Sequence, residues 1–322
     1  MDNTVELLCK EPALAWKLAA NVLGKDEDSP DVRRARAEVQ AAPLVKDLIA
    51  TCDRQHSAYK KWTGAHWVLS LLGDLGYPAG DESLHPLMEH TFNTWLSQEH
   101  ETRHLRVLNG RVRRCASQEG YAVWSSLRLG FADSRTDELV SRLLKWQWPD
   151  GGWNCDKEPS ADSSSFMETL IPLRALALYA KISGDPQAKA AAGRAAEIFL
   201  KRRLFKRMRD GSIMDEHFLL LHYPAYWHYD ILFGLKVMAE AGFLSDPRCM
   251  DALDQLESKH LPEGGFPAEE SFSRHSQTQV SGYTPIVWGK ISRGKMNPFV
   301  TADALFVLRT AGRLPAEILP GL

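Results

Sequence analysis

The chain has 322 residues, of which 44% are hydrophobic and 25% charged, and its formal net charge is −2. This composition is typical of a globular protein long enough for one large domain, and the small net charge gives no electrostatic reason to expect nucleic acid as a partner. No apolar run approaches the roughly 20 residues of a membrane helix, so no integral membrane segment is expected. The N-terminus lacks the basic region of a signal peptide, and five dispersed cysteines are typical of reduced thiols, which together favour a cytoplasmic location.

The apolar spacing predicts helices along the whole chain and no sustained strand alternation. Two helices, 11–23 and 31–50, come first, and Pro43 should break the second. Five apolar helical segments then each stop at a glycine that is followed by a polar turn. These glycines are Gly76, Gly130, Gly184, Gly242 and Gly312, with spacings of 54, 54, 58 and 70 residues.

A second helix follows each of the first four glycines, at 83–97, 135–147, 186–204 and 246–258. A repeat of helix, glycine stop and helix indicates an array of helical hairpins. The sequence therefore predicts one all-α domain over residues 1–322, with N-terminal helices in 1–55 and hairpin repeats in 56–315.

A turn of common form follows the second helix of three repeats. It reads "QWPDGGW" at 147–153, "RMRDGSI" at 207–213 and "HLPEGGF" at 260–266. Each copy has an acidic residue, a glycine, a small residue and a large apolar residue, which favours a tight turn whose apolar end packs back on the helices.

The first of these turns resembles the Gln-x-x-Asp-Gly-x-Trp motif of the terpenoid cyclase and protein prenyltransferase superfamily. "SSFMETLIPLRAL", "HYPAYWHYDILFGL" and "NPFVTADALFVL" are similar to a bacterial single-barrel group within it. The resemblance implies an α/α toroid of five to six hairpins with inner and outer helix rings. It also implies that Gln147 and Trp153 tie an outer helix to its neighbour and that Asp150 caps the next segment.

The known reaction centres of that superfamily have no counterpart in the sequence. No Asp-x-Asp-Asp acid occurs, and Cys155-Asp156 does not fit the Asp-x-Cys zinc motif of prenyltransferases. We therefore expect no cofactor and no metal. Zinc-compatible side chains do exist at Cys155, Asp156, His222 and His228, but without the close pairing typical of zinc sites. Cys155 acting as a nucleophile beside a histidine base is a further alternative.

Polar side chains lie near the start of the more apolar helix of each repeat, which we assign to the inner ring. An ionised group in such a run needs a partner or water, and a shared lumen would supply either. Asp230 or Glu168 is the expected acid, His228 or His66 its partner, and Tyr121 and Tyr226 would stabilise charge. The alternative is that these carboxylates are helix caps. The candidate catalytic residues are Asp230, Glu168, His228, His66, Tyr226, Tyr121, Glu119 and Asp303.

Aromatic residues of the same helices are either core packing or the lining of an apolar cavity that binds substrate and stabilises cations. The candidates are Trp62, Trp67, Trp124, Trp227, Tyr229, Trp288 and Phe166.

Together these features predict an enzyme with an aromatic-lined funnel that performs cyclisation, isomerisation or hydration/dehydration on an apolar, terpenoid or prenyl-like molecule. A glycan lyase or hydrolase of the toroid type is one alternative. A non-catalytic binding or scaffold protein with a filled lumen is another, favoured if Glu168 and Asp230 pair with Arg174 or Lys236. The sequence indicates no oligomeric state.

Overall fold

A computed structural model describes residues 4–104, 106–277 and 281–314, and this part of the chain is mostly helical. None of its helices is both long and apolar enough to cross a membrane. The helices are α1 (Thr4–Leu8), α2 (Pro12–Trp16), α3 (Pro30–Ala41), α4 (Pro43–Ala50), α5 (Ala65–Asp74), α6 (His85–Trp95), α7 (Gln98–His104), α8 (Ala116–Leu129), α9 (Ser134–Trp146), α10 (Phe166–Ser183), α11 (Pro186–Leu200), α12 (Ile231–Glu240), α13 (Met250–Glu257) and α14 (Pro298–Thr310).

Short irregular elements connect these helices. A π-helix (Lys17–Val22) continues α2, and 3₁₀ turns occupy Glu82–Leu84, Glu216–Leu219 and Pro247–Cys249. Strands β1 (Arg106–Leu108) and β2 (Arg111–Arg113) pair antiparallel, and β3 (Arg274–His275) and β4 (Tyr283–Thr284) pair parallel. The all-α prediction is therefore confirmed apart from these two small strand pairs.

The predicted helix boundaries follow the glycines and prolines. All five stopping glycines have positive φ, between 69° and 80°, the left-handed geometry that ends a helix. Ala42 adopts an extended conformation before Pro43, which starts α4, so the proline breaks the predicted 31–50 helix in two.

In α5, α8 and α12 the first helix of a repeat is more buried than the second, as its apolar sequence predicts, whereas α10 and α11 are buried to similar extents. Helices α5, α8, α10, α12 and α14 pack on one another in chain order, and α14 also packs on the π-helix. Helices α6, α9, α11 and α13 each cover the first helix of their own repeat. Gly120 allows α8 to approach α10 closely, since a Cβ there would lie 2.9 Å from the backbone nitrogen of Pro172.

The turn at 147–153 has the structural role that the resemblance implies. The Gln147 amide donates to the carbonyl of Ala191 on α11 at 2.9 Å, and the indole of Trp153 donates to Leu143 on α9 at 3.1 Å. Asp150 accepts from the backbone N–H of Ser164 at 2.7 Å, just before α10 begins. The turn therefore joins α9 to α11 and fixes the approach of the chain to α10.

Six charged side chains meet where the buried helices converge, and we call them the central charge cluster. Three are cations and three are carboxylates, so their formal charges cancel. They are Lys17 of the π-helix, Asp74 of α5, Arg174 of α10, Lys236 and Glu240 of α12, and Asp303 of α14.

Each carboxylate of the central charge cluster either contacts more than one cation or accepts two hydrogen bonds from the same cation. The Lys17 ammonium lies 2.8 Å from Asp74 and 2.7 Å from Asp303, and the Lys236 ammonium lies 2.6 and 2.9 Å from the same two. Arg174 bonds Asp74 at 3.1 Å and Glu240 at 2.5 and 2.7 Å. Burial alone would raise the pKa of Asp74, but the three cations hold it well below its usual range. The cluster is thus ionised and joins segments that are far apart in sequence.

Replacing Asp74 by Asn should destabilise the protein, because three buried cations would then face only two carboxylates. We expect a loss of about 3–5 kcal/mol in the free energy of unfolding, measured by urea denaturation. As a control, Glu138→Gln removes one partner of the exposed Arg142–Glu138 pair and should cost less than about 1 kcal/mol. Equal effects of the two substitutions would contradict this description of the cluster.

Candidate active site

A small cavity lies beside the central charge cluster. Its volume is about 40 Å³, enough for one or a few water molecules. Its wall includes three charged residues of the cluster, Asp74, Arg174 and Lys236. It also includes three residues with aromatic rings, Tyr121, His222 and Tyr226. A second cavity of about 170 Å³ shares those three charged residues and is bounded by Trp16 and Trp124. Asp74, Arg174 and Lys236 therefore lie between the two cavities.

Asp230 and His222 form a buried pair at the first cavity. Asp230 is the N-cap of α12, where its Oδ1 accepts from the backbone N–H of Phe233 at 2.7 Å. Its Oδ2 accepts from the backbone N–H of His222 at 2.9 Å and lies 2.7 Å from Nδ1 of the His222 ring. The helix cap therefore also fixes the orientation of an imidazole.

The other ring nitrogen of His222 is free. His222 is 4% exposed, and its Nε2 has no hydrogen-bond partner among the residues that the structure describes. Burial alone would lower the pKa of His222, but the charge of Asp230 and its hydrogen bond raise it above the usual value. An imidazole of a cavity-lining residue that is held through Nδ1, with no partner for Nε2 in the described part of the chain, has the arrangement of a general base.

Tyr226 lines the same cavity and carries a second buried polar group without a well-formed hydrogen bond. Its hydroxyl forms no hydrogen bond of good geometry with the described residues, although Ser273, Thr284 and Trp288 surround it. Burial raises the pKa of Tyr226, so the phenol stays protonated and can donate. The Tyr121 hydroxyl, in contrast, is used in a hydrogen bond to the Tyr226 carbonyl.

The structure corrects the expected partner of Asp230. His228 does not contact the carboxylate; its ring stacks on Phe272 at 3.5 Å and Trp227 at 3.9 Å. His66 is 2% exposed and lies among aromatic rings, with neither ring nitrogen bonded within the described part of the chain. Burial lowers the pKa of each to about 3, so both are neutral.

Two other predicted catalytic carboxylates form ion pairs. Glu119 is buried on α8 and bonds Arg114, with Nε at 2.8 Å. Asp303 bonds Lys17 and Lys236 in the central charge cluster. Glu119 lies in the first turn of α8, as the alternative interpretation proposed, whereas Asp303 lies deeper in α14.

The predicted substrate-binding aromatics divide into two groups. Trp62 stacks on Tyr226 at 3.9 Å, and Trp67 meets Trp62 edge-on at 4.9 Å. Trp227 and Trp288 lie near this group, with Lys61 over the Trp227 ring at 4.9 Å and Tyr223 at 5.5 Å from Trp288. Trp124 instead bounds the second cavity, with Arg174 over its ring at 3.9 Å. These rings therefore pack on neighbouring rings and on cations.

The second group lies elsewhere. Phe166 and Tyr229 pack with Phe199 and Phe218, at centroid distances of 4.6 to 5.8 Å. The Tyr229 hydroxyl donates to the carbonyl of Leu204 at 2.7 Å. Neither residue lines the cavity beside His222, so they pack α10 against α11 and the segment that follows it.

Glu168 and Asp230 have no hydrogen-bond partner in common. Its Oε2 accepts from the backbone N–H of Ser117 at 3.0 Å, and its Oε1 lies 3.4 Å from the Cys155 sulfur. Neither Glu168 nor Asp230 pairs with Arg174 or Lys236, whose partners are the carboxylates of the central charge cluster. Burial raises the pKa of Glu168.

The four weak metal candidates are not brought together. Cys155 lies with Cys115 and Glu168, His222 with Asp230, and His228 in its aromatic stack. Asp156 accepts from the backbone N–H of Glu158 in an exposed loop. The pKa of Cys155 is raised by Cys115, by burial and by Glu168, which is opposite to the shift of an activated thiolate.

Sequence reasoning missed three features of this region: the role of His222 with Asp230, the approach of Cys115 to Cys155, and the central charge cluster. For the central charge cluster, the sequence signal was a single charged residue inside an apolar helical segment, as in "AWKLA", "LLGDL", "PLRAL" and "GLKVM". No protein-family model matches the chain, and no curated protein is similar to it.

Replacing Asp230 by Asn should lower the pKa of His222. Asn retains the helix-capping acceptor but removes the charge that offsets burial, so the pKa should fall from above the usual 6.5 to below it. In the wild type the pair stabilises the fold most below pH 6.5, and this contribution is lost as pH rises through the raised pKa. Titration of the imidazole nitrogens by NMR measures both values, and an unchanged His222 pKa in the folded variant would refute the pairing.

Proposed function

We propose that the protein is an enzyme that adds water to, or removes it from, an apolar small molecule by acid/base catalysis. The observation that carries the proposal is His222, a residue that lines the cavity: its Nδ1 lies 2.7 Å from Asp230, and its Nε2 has no hydrogen-bond partner among the described residues. A buried polar atom without a partner costs free energy, and such a cost is typical of a group that bonds a ligand.

The residues at the cavity divide the chemistry between them. Neutral His222 takes a proton from water through Nε2, and Asp230 stabilises the imidazolium that forms. The water oxygen bonds to the electrophilic carbon of a polarised double bond. The Tyr226 phenol donates to the group that gains electrons, and Arg174 and Lys236 in the wall stabilise negative charge. Loss of water follows the reverse order.

The size of the cavity favours a water reaction over cyclisation. A volume of about 40 Å³ holds water but not a terpenoid chain. The apolar part of the substrate would replace the packing of Trp62 and Tyr226. Phe272 would have to move for it to enter, since its carbonyl accepts from the Trp62 indole at 3.2 Å and its ring stacks on His228.

The proposed fold is an α/α toroid. It is supported by helices α5, α8, α10, α12 and α14, which pack in chain order, and by α6, α9, α11 and α13, which cover the first four of them. The motif at 147–153 and the apolar, aromatic surroundings favour a terpenoid or prenyl-like molecule over a glycan. Fold alone does not determine the reaction, so His222 carries the proposal.

A second candidate is a non-catalytic scaffold with a filled lumen. It is favoured by the central charge cluster, which occupies the convergence of the helices, and by the mutual packing of Trp62, Trp67 and Tyr226. In this case the residues at the cavity would bind only water.

Incubation in ¹⁸O-labelled water tests the proposal directly. Conjugated terpenoid aldehydes and ketones, and the corresponding hydroxylated products, are offered to the protein and analysed by mass spectrometry. We expect one ¹⁸O atom at the β-carbon, the carbon of the double bond that is distal to the carbonyl, and a rate at least about 100-fold lower for His222→Gln.

His217→Gln is the matched control, because His217 pairs with Glu270 at 3.0 Å in an exposed histidine–carboxylate pair. It should retain the wild-type rate. Absence of turnover by the wild type across the panel would favour the scaffold, and an unchanged rate in folded His222→Gln would remove His222 from the reaction.

A further inference from the structure

Cys115, Cys155 and Glu168 converge at a place separate from the His222 cavity. One ligand atom of each lies within 4.8 Å of the others. The rings of Tyr59, His66 and Tyr121 lie one after another between this group and the cavity. The centroid of the His66 ring is 5.5 Å from that of Tyr59 and 5.7 Å from that of Tyr121. Cysteine sulfur and carboxylate oxygen are ligands that zinc accepts.

The backbone fixes the three side chains relative to one another. Cys115 is the N-cap residue of α8, and Glu168 lies in the first turn of α10. Cys155 follows the turn at 147–153, and that segment is bonded to both helices. The Arg114 N–H donates to the Asn154 carbonyl at 3.2 Å, and the Ser165 N–H donates to the Trp153 carbonyl at 2.9 Å. The three ligands therefore come from anchored segments.

The separations suit a tetrahedral ion. Zinc bonds of about 2.3 Å to sulfur and 2.0 Å to oxygen place tetrahedral S and O ligands about 3.5 Å apart and two S ligands about 3.8 Å apart. The Cys155 sulfur lies 3.4 Å from Glu168 Oε1, and the remaining separations are at most 4.8 Å. A contraction of about 1 Å would complete the arrangement. The Ser117 N–H, bonded to the other Glu168 oxygen, orients the carboxylate as outer-shell donors do at metal sites.

Glu168 has no ionic partner in the described part of the chain. Within the described residues no cationic side chain forms an ion pair with Glu168, whereas nearby Glu119 has Arg114. A carboxylate beside two thiols in a largely buried place needs a cation or a proton. A bound divalent ion would supply the missing positive charge.

We propose that Cys115, Cys155 and Glu168 bind one Zn²⁺ ion. Two thiolates favour zinc over magnesium and calcium, which prefer oxygen ligands throughout. Three protein ligands leave a fourth position for water or an exogenous group, the pattern of zinc sites that interact with ligands. The site joins α8 to α10 and does not depend on the reaction proposed at His222.

Cobalt titration of the metal-free, reduced full-length protein tests the site. Co²⁺ bound by thiolates gives a charge-transfer band in the near ultraviolet and intense visible bands in tetrahedral geometry. We expect saturation at one ion per chain and displacement of Co²⁺ by Zn²⁺. Cys115→Ser and Cys155→Ser should abolish the charge-transfer band or halve it, and Glu168→Gln should weaken binding at least about tenfold.

Cys9→Ser is the control, because Cys9 is exposed and lies outside the group; it should bind as the wild type does. Alkylation of the wild type provides a test that does not depend on how the variants fold. Under reducing conditions Zn²⁺ should slow the labelling of Cys115 and Cys155, resolved by peptide mass spectrometry, and leave Cys9 unaffected. Labelling of both that is unchanged by Zn²⁺, or a charge-transfer band of undiminished intensity in both cysteine variants, would overturn the proposal.

Discussion

The buried helices are joined through one balanced set of charges. Asp74 and Asp303 each accept from both Lys17 and Lys236, and Arg174 connects Asp74 to Glu240. Buried ion pairs contribute little net stability compared with apolar packing, but an unpaired member is costly. The helices must therefore meet in one arrangement, because any displacement would leave a buried charge without its partner.

This constraint determines where ligands could bind. The central charge cluster occupies the middle of the helix assembly and leaves a small cavity on the His222 side and a larger one beside Trp16 and Trp124. Cys115, Glu168 and Asp230 lie at the starts of α8, α10 and α12. Asp230 shows why this end is favoured: a helix cap holds a carboxylate in place, and its second oxygen remains available to orient His222.

The local structure could be read from the sequence, whereas the pairing of distant side chains could not. Glycines ended the helices as predicted, because their left-handed geometry is a property of the residue itself. Asp230 and Glu168 were recognised as unusual in apolar surroundings. Their partners were not found, because His222 is eight residues from Asp230 and Cys115 is more than fifty from Glu168.

The aromatic residues show the same limit. Trp62 and Phe166 both begin or precede buried helices, yet Trp62 stacks on Tyr226 near the cavity and Phe166 packs with Phe199 of α11. Which of two apolar surfaces a ring meets depends on how neighbouring helices are rotated, and periodicity within one helix does not contain that information.

A double-mutant cycle between Lys236 and Asp303 tests the central claim most directly, since their side chains bond at 2.9 Å across α12 and α14. Lys236→Met, Asp303→Asn and the double variant are compared by urea denaturation. The account predicts that the double variant loses less stability than the sum of the single variants, with a coupling of about 1–3 kcal/mol. Additive losses, with a coupling below about 0.5 kcal/mol, would contradict the claim that buried charges fix the position of α12 relative to α14.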